Sequence, residues 1–410
     1  MPVVSAAADI AEVAAALAAA PLVAFDLEFD SRETRIPVLC LVQVSWVTDT
    51  PGPGWDALDE ARVATICVTP PQIALLDPLV PGCGLAPVMA ALAAHPRVVA
   101  HAPRQDLGII AARYGAACAA MPGLVDTQLM AALAGLGEQI GLGALAAEML
   151  GVVLDKEQQF TAWQQRPLTD AQLAYAAADV RYLPALYAKL ALRLGPRLAW
   201  ARAETAVIAA DAVAAQAPDL AEAWRDVSGL RGFDAQAMGE VAALAAWRVR
   251  ESIALDRPVG QVLSDKAVVE IVRSGARDAE AIVRVRGVST LAQARAAELA
   301  AAMGTAAPLP VGRARATSPR AQRWTDVLLA IAQLVAEQAG LATRLLATRA
   351  DAERFARTVD EQGLAAAADL PALATWRREL LGAAWEGFIT GRLALVGDVG
   401  APAGILLLPR

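Results

Sequence analysis

Carboxylates interrupt the apolar runs of this sequence in a way that could serve metal chemistry. Asp26 and Glu28 lie inside the apolar run at residues 21–29. On a β-strand, two such residues point to the same face, roughly 6.5 Å apart. Buried carboxylates at that distance repel each other unless a cation lies between them. The pair therefore favours a metal site, although a strand end at which both acids reach water explains these two residues about equally well.

Two further positions carry acids that could join this pair. Asp106 follows the apolar run at residues 97–101 and lies at the start of the next predicted helix, where the helix dipole alone would favour an acid. Tyr175 and Asp179 are four residues apart, so on a helix they share one face. Taken alone, they also fit an ordinary amphipathic helix with a half-buried tyrosine.

The composition excludes several classes of protein. Of the 410 residues 56% are hydrophobic, but the best uninterrupted apolar run has 13 residues, at 13–25, where a membrane span needs about 20. The N-terminus lacks the basic stretch of a secretory signal. The four cysteines form no Cys-x-x-Cys pair, which argues against a disulfide framework or a thiolate zinc site. We therefore expect a soluble, cytoplasmic protein with no membrane contact.

The charge gives no support for nucleic-acid binding by bulk attraction. The net charge is −7, all of it in residues 1–200, while residues 201–410 are neutral overall. An acidic protein can still bind nucleic acid where metal ions and local basic patches offset the repulsion.

The first 200 residues alternate between strand and helix patterns, which indicates an α/β or α+β domain. The predicted strands are residues 21–29, 38–47, 73–76 and 97–101. The predicted helices are residues 86–94, 105–114, 126–136, 143–150 and 169–194. Thr169 is the expected N-cap of the last helix, with Gln172 in the capping-box position. Residues 48–72, rich in proline, predict a long surface loop.

Beyond residue 205 the pattern is helical. Helices are predicted at 239–253, 264–273, 279–285 and 290–303. The aperiodic stretch at 306–319 predicts a linker, and a second helical block runs from 321 to about 395.

Taken together, these motifs resemble the three exonuclease motifs of the DEDD superfamily in its tyrosine-bearing branch. The flanking residues resemble ribonuclease D over residues 5–200, at 25–29 (FDLEF), 39–44 (LCLVQV), 166–169 (RPLT) and 175–183 (YAAADVRYL). Residues 247–258 (WRVRESIALDRP) resemble the opening of an HRDC domain, a helical nucleic-acid-binding module, and 376–382 (WRRELLG) resemble the end of the second, degenerate HRDC repeat in that family. The insert at 48–72 and the turn Ser274–Arg277 depart from the family pattern.

The resemblance implies an α/β ribonuclease H-like exonuclease domain followed by two all-α HRDC-type domains. The expected boundaries are 1–205 for the exonuclease domain, 228–306 for the HRDC domain, 307–320 for a linker and 321–405 for the second helical domain.

The same resemblance implies a catalytic set with two divalent ions, Mg²⁺ or Mn²⁺. Asp26, Glu28 and Asp179 would hold the first ion, Asp26 would bridge to the second, Asp106 would support that ion through water, and Tyr175 would hold the attacking water. An unperturbed phenol has a pKa near 10, so positioning is the safer role for the tyrosine.

Substrate contacts are less well defined. Lys156, Gln159 and Arg166 are expected near the site, although a solvated surface explains them equally well. His101 is a further candidate, although packing and hydrogen bonding near the site is the stronger interpretation.

The function implied is a metal-dependent 3′→5′ exoribonuclease that trims RNA 3′ ends, such as those of tRNA precursors, and releases nucleoside 5′-monophosphates. The alternatives are a DNA 3′→5′ exonuclease, or a nucleic-acid-binding scaffold with an inactive nuclease domain. RNA, and DNA as the alternative, are the expected partners, and no protein partner is identifiable. The basic candidates for phosphate contacts in the HRDC domain are Arg248, Arg250, Arg257, Arg273, Arg284 and Arg286.

Overall fold

The structure is a computed structural model, and it describes residues 3–48, 58–155, 158, 161–309 and 317–410. The strands are β1 (Val3–Val4), β2 (Val23–Asp30), β3 (Val38–Trp46), β4 (Gln72–Leu76), β5 (Val98–Ala100), β6 (Leu124–Asp126), β7 (Leu393–Gly397) and β8 (Ile405–Pro409). The helices are α1 (Ala7–Ala19), α2 (Glu60–Val68), α3 (Ala86–Ala94), α4 (Arg104–Tyr114), α5 (Ala116–Ala120), α6 (Thr127–Leu133), α7 (Leu142–Leu150), α8 (Asp170–Arg181), α9 (Leu183–Leu194), α10 (Leu198–Ala214), α11 (Ala235–Leu255), α12 (Val259–Val262), α13 (Asp265–Ser274), α14 (Ala279–Arg284), α15 (Thr290–Ala294), α16 (Ala296–Gly304), α17 (Pro319–Ala339), α18 (Thr343–Leu346), α19 (Arg349–Gln362), α20 (Leu364–Ala367) and α21 (Ala383–Ile389).

The first six strands form one mixed sheet in the order β1-β4-β3-β2-β5-β6. β3 runs antiparallel to both of its neighbours, β2 and β4, whereas β2–β5 and β5–β6 are parallel. The β2–β3 register shifts between Glu28 and Phe29, which marks a bulge at the end of the acidic strand. Bulges re-aim side chains and are common beside active sites. The four strands predicted from sequence are all present, and β1 and β6 were not predicted.

Strand β2 is buried on both faces. Its side chains alternate between those faces, so that apolar residues lie on one face and the acids on the other. Val23, Phe25 and Leu27 face a core that α1, α3 and α4 share. Residues 24, 26 and 28 point to the opposite face. Helix α8 crosses that face and packs against β2, β3 and β4. The sheet therefore presents both acids of β2 to the helix that carries Tyr175 and Asp179.

Helix α8 begins where the sequence predicted. Thr169 is its N-cap, and the capping box with Gln172 is complete. The single helix predicted over 169–194 is instead two helices, because α8 ends at Arg181 and α9 starts at Leu183, followed by a proline. Proline at this position is favoured at a helix start and cannot continue a preceding helix.

The insert at 48–72 is not simply a loop, and that part of the prediction was wrong. Its residues 60–68 form helix α2, with Asp59 as N-cap accepting a hydrogen bond from the Arg62 amide. Val63 and Ile66 are buried against the core that α9 shares. The four prolines and two glycines of the insert concealed this short amphipathic segment. Residues 49–57 lie outside the described part of the chain.

The helical region that follows, α11–α16, has its own hydrophobic core. It contacts the N-terminal domain through Asp256, whose carbonyl and carboxylate accept hydrogen bonds from the Arg35 and Ile36 amides, both at 3.1 Å. The prediction that Arg248 contacts phosphate was wrong, because its side chain is buried and donates to Asp265 at 2.7 Å.

The C-terminal region is helical from α17 to α21 and ends in the antiparallel hairpin β7–β8. The predicted second helical block therefore extends past the end of the last helix, at Ile389, into strand β7. Leucine and valine runs on either side of a turn that contains Gly400, Pro402 and Gly404 form strands instead. Trp385 is fully buried, and its indole donates to the Leu328 carbonyl at 2.9 Å, so it anchors the core of this region.

An unpredicted helix, α10, joins this C-terminal region to the N-terminal domain. The Arg377 guanidinium binds the Glu204 carboxylate through two nitrogens at 2.5 and 2.9 Å, and the Trp376 indole donates to the same carboxylate at 2.9 Å. Trp376 also stacks on Trp200, with ring centroids 4.9 Å apart. Bidentate, mostly buried pairs of this kind are stronger than exposed ones.

Across the parts of the chain that the structure describes, no helix combines the length and the apolar character that a membrane crossing requires.

Glu204→Ala should lower the free energy of unfolding by about 2 kcal/mol, because it leaves a mostly buried guanidinium and an indole without their acceptor. Urea unfolding measures this loss. Glu280→Ala is the matched control, since Glu280 forms an exposed ion pair with Arg284. Its removal should lower the free energy of unfolding by well under about 1 kcal/mol. Equal losses in the two variants would contradict the interdomain role of Glu204.

Candidate active site

Three carboxylates converge between the sheet and α8. Asp26, Glu28 and Asp179 each offer one oxygen, and these oxygens all lie within 4.8 Å of one another. Asp26 and Glu28 come from the same face of β2, and Asp179 comes from the third turn of α8. A set of carboxylate oxygens fits a hard divalent ion such as Mg²⁺ or Mn²⁺. The sequence prediction that these acids meet at one place agrees with this geometry.

The fourth acid reaches the same place from the next strand. Asp106 lies in the first turn of α4, which follows β5, the parallel neighbour of β2. Its side chain is buried, and the charge of Asp26 adds to burial in raising its pKa. Asp106 is therefore close enough to Asp26 and Glu28 to interact with them electrostatically.

Burial raises the pKa of every carboxyl in the cluster. Asp26 rises to about 7, Asp179 to about 8 and Glu28 to about 10. For Glu28 the charges of Asp26, Asp179 and Asp106 add to the effect of burial. In the metal-free protein these groups hold protons near neutral pH, and a bound cation favours their ionised forms and lowers their pKa values.

Tyr175 stands one helical turn before Asp179, and the two side chains are hydrogen-bonded. Burial and the charges of Asp179, Glu28 and Asp26 raise the pKa of the phenol above its usual value. The hydroxyl is therefore neutral at pH 7 and can donate or accept a hydrogen bond. This environment opposes a role for Tyr175 as a base in the metal-free protein.

Trp163 and Arg166 fix the segment in front of α8. The Trp163 ring is buried, with its centroid 6.1 Å from that of Tyr175. Arg166 uses all five of its N–H donors on protein oxygens: two go to the Asp77 carboxylate, at 2.5 and 2.7 Å, and one each goes to the carbonyls of Cys40, Trp163 and Gln165, at 2.7 to 2.8 Å. The guanidinium therefore ties this segment to β3 and to the end of β4.

Comparisons with known proteins agree with this geometry. The family model described as 3′–5′ exonuclease matches residues 1–195, and the HRDC domain model matches residues 239–301. Ribonuclease D of Acidiphilium cryptum is 35% identical over 92% of this chain and 90% of its own length, and that of Gluconacetobacter diazotrophicus is 32% identical over 95% and 93%. The chain belongs to the ribonuclease D family.

The fold agrees as well. The crystal structure of Escherichia coli RNase D covers 95% of this chain and 98% of its own, with a TM-score of 0.76 at 24% identity. The predicted architecture, an exonuclease domain followed by HRDC-type helical regions, is thereby confirmed. Family membership also confirms the predicted enzyme class, a divalent-metal-dependent 3′–5′ exoribonuclease of the DEDD superfamily.

The predicted substrate-contacting residues have different surroundings. Lys156 and Gln159 lie outside the described residues. His101 is largely buried, with Nδ1 2.9 Å from the Thr127 hydroxyl and Nε2 3.1 Å from the Ile140 carbonyl, and burial lowers its pKa to about 4. Both ring nitrogens of His101 and all donors of Arg166 are thus engaged by protein. Contact of any of these residues with substrate stays a prediction.

Sequence reasoning missed one acid beside the cluster. Asp126 ends β6, is buried, and accepts hydrogen bonds from the amides of Ala102 and Gln128 at 2.9 and 2.8 Å. Its charge contributes to raising the pKa of Asp106. The signal available in the sequence was the position of Asp126 at the end of a short apolar run.

The metal-free protein should lose stability as the pH rises from about 7 to about 9. The pKa of each clustered carboxyl is higher in the folded than in the unfolded chain, so the folded chain holds protons that the unfolded chain has already lost. The free energy of unfolding therefore falls with rising pH until the pH passes the folded-state pKa. Saturating Mg²⁺ or Mn²⁺ should therefore raise the melting temperature more at pH 9 than at pH 7. Thermal melting in EDTA and in metal measures both effects.

Asp26→Asn should flatten this pH dependence, and Asp9→Asn, which changes an exposed acid of α1, should leave it unchanged. A metal-induced stabilisation that is the same at both pH values would contradict the assignment of these carboxyls.

Arg166→Leu should destabilise the protein by about 3 kcal/mol, because it strands the buried Asp77 carboxylate. The double variant with Asp77→Leu should recover most of that stability in a urea-unfolding cycle. If the double variant is stable yet binds RNA far more weakly than wild type, Arg166 contacts substrate after all and the positioning role is wrong.

Proposed function

We propose that this enzyme removes nucleotides one at a time from the 3′ ends of structured RNA by hydrolysis assisted by two divalent ions, releasing nucleoside 5′-monophosphates. The convergence of Asp26, Glu28 and Asp179 within 4.8 Å is the observation that carries the proposal. A scaffold with an inactive nuclease domain would have no need to keep such mutually repelling acids buried together.

Each acid has a proposed part. Asp26, Glu28 and Asp179 would hold one ion, and Asp26 with Asp106 would hold the other, Asp106 through water. Bound ions of this kind lower the pKa of a coordinated water and stabilise the charge that develops on the phosphate and the leaving oxygen. Mg²⁺ and Mn²⁺ both suit this set of oxygen ligands.

Tyr175 would orient the attacking water. Its raised pKa keeps the phenol protonated, and its hydrogen bond to Asp179 and the packing of Trp163 hold its direction. Positioning a nucleophile in this way raises kcat without strengthening metal binding.

The substrate class rests on the relatives. The E. coli protein is described as an exoribonuclease involved in structured RNA processing. For this chain, we propose tRNA precursors and similar RNAs, with exposed arginines of α11–α16 contacting phosphates. Such contacts carry little sequence information and weaken with salt.

Asp26→Asn should lower exonuclease activity by about 10³-fold or more, since a ligand of both proposed ions is lost. The assay follows 5′-labelled RNA and a matching DNA with Mg²⁺, Mn²⁺ or EDTA. We expect the RNA to shorten from its 3′ end as a ladder when metal is present. Asp9→Asn should give the same ladder, and Asp26→Asn should give none. Faster cutting of DNA would instead favour a DNA exonuclease, and RNA binding without cutting would favour a scaffold.

Tyr175→Phe should lower kcat by about 10²-fold and leave the Mn²⁺ affinity nearly unchanged, because the ring packing stays and only the hydroxyl is removed. Single-turnover kinetics and Mn²⁺ titration measure the two quantities. A large loss of Mn²⁺ affinity would contradict the positioning role.

A further inference from the structure

A fully buried glutamine lies directly beside the carboxylate cluster. Gln43 is in the middle of β3, and its register partners are Asp26 on β2 and Leu75 on β4. Directly opposed residues of antiparallel strands point to the same face, with Cβ atoms about 4.5–5.5 Å apart. Gln43 therefore shares with Asp26 the face of the sheet that α8 covers.

The Gln43 amide has no hydrogen-bond partner among the described residues, at either its oxygen or its nitrogen. An amide that is buried without partners costs free energy, and native proteins rarely leave one so. Ser45, the next residue on the same face of β3, is equally buried, but its hydroxyl donates to the Val180 carbonyl at 2.8 Å. On this face of β3, the polar side chain next along the strand is thus satisfied, whereas the one opposite Asp26 is not.

The surroundings leave few candidates for that partner. Leu41 and Leu75 flank Gln43 on the same face, and the buried Ala176 and Ala177 of α8 belong to the same apolar cluster. Directly across the strand pair, the register places the polar side chain of Asp26 opposite Gln43. A group that contacts both the Gln43 amide and the Asp26 carboxylate must be small and polar.

A water bound to a divalent ion has these properties and a further requirement. Its oxygen lone pair is directed at the ion, so it can only donate hydrogen bonds, and it needs an acceptor. With an ion bound, the Asp26 oxygens would serve as its ligands, whereas the Gln43 amide oxygen would be free to accept.

We propose that Gln43 is a positioning residue for the metal site, whose amide oxygen accepts a hydrogen bond from a water ligand of the ion that Asp26 holds. The inference rests on the proposed function and adds a residue to it. Groups that orient the ligands of a metal in this way typically change metal affinity by 10- to 100-fold when replaced.

Mn²⁺ binding to the RNA-free protein tests the inference. Gln43→Met keeps the shape of the side chain but removes the acceptor, so the Kd for Mn²⁺, measured by calorimetry and by electron paramagnetic resonance, should rise about 10-fold or more. The melting temperature in EDTA should stay unchanged or rise, because an unpaired buried amide is removed. Gln43→Glu keeps an acceptor oxygen and should bind Mn²⁺ more tightly than Gln43→Met.

Ser45→Ala is the matched control, because it removes a buried polar group from the same strand and face. It should lower the melting temperature and leave the Kd for Mn²⁺ within about twofold. Wild-type Mn²⁺ affinity in Gln43→Met would overturn the inference, and so would a Gln43→Met protein that is destabilised in EDTA as much as Ser45→Ala. If Asp26→Asn also binds Mn²⁺ like wild type, the proposed metal site itself is wrong, and otherwise only the role of Gln43 fails.

Discussion

Mutual repulsion among carboxylates that burial has removed from water is the constraint on which the rest of this structure depends. Asp26, Glu28, Asp106 and Asp179 come from one strand and two helices, and no ion pair with a described arginine or lysine neutralises them. Their raised pKa values express that repulsion. The fold must hold them together against it, and a cation relieves it.

The elements around the cluster are correspondingly fixed. Helix α8 has a complete capping box, and the Gln172 amide that belongs to it also donates to the Thr161 hydroxyl at 3.0 Å. Arg166 ties the preceding segment to the sheet with five hydrogen bonds. The approach of α8 to β2 is therefore determined by neutral packing and remote polar contacts, independently of the acids themselves.

The sequence drew attention to Asp26 and Glu28 because they interrupt an apolar run, and the resemblance to ribonuclease D added Asp106, Tyr175 and Asp179. Local pattern was enough for strands β2 to β5, and for α3, whose bounds Ala86–Ala94 agree with the structure. It failed where the partner is distant in sequence. Arg248 was predicted to contact phosphate, but it is buried and donates to Asp265. Arg166 is held by Asp77, which is 89 residues away in the sequence.

Asp126 and Gln43 were missed for a related reason. Neither residue belongs to a spacing that suggests metal chemistry, and each gains its significance only from strand register, which places one beside Asp106 and the other opposite Asp26. Register depends on which strands pair, and here β2 pairs with β5 as well as with β3, a topology that no local pattern contains.

Helix α10 contacts both the C-terminal region and the surroundings of the active site. Its Glu204 holds the C-terminal region, while the neighbouring Thr205 accepts a hydrogen bond at 3.0 Å from the amide of Asp126, beside the active site. The sequence suggested a domain border at residue 205, in the middle of this helix. A fragment that ended at residue 205 would therefore cut α10 in two and remove the second half of a helix that packs beside the active site.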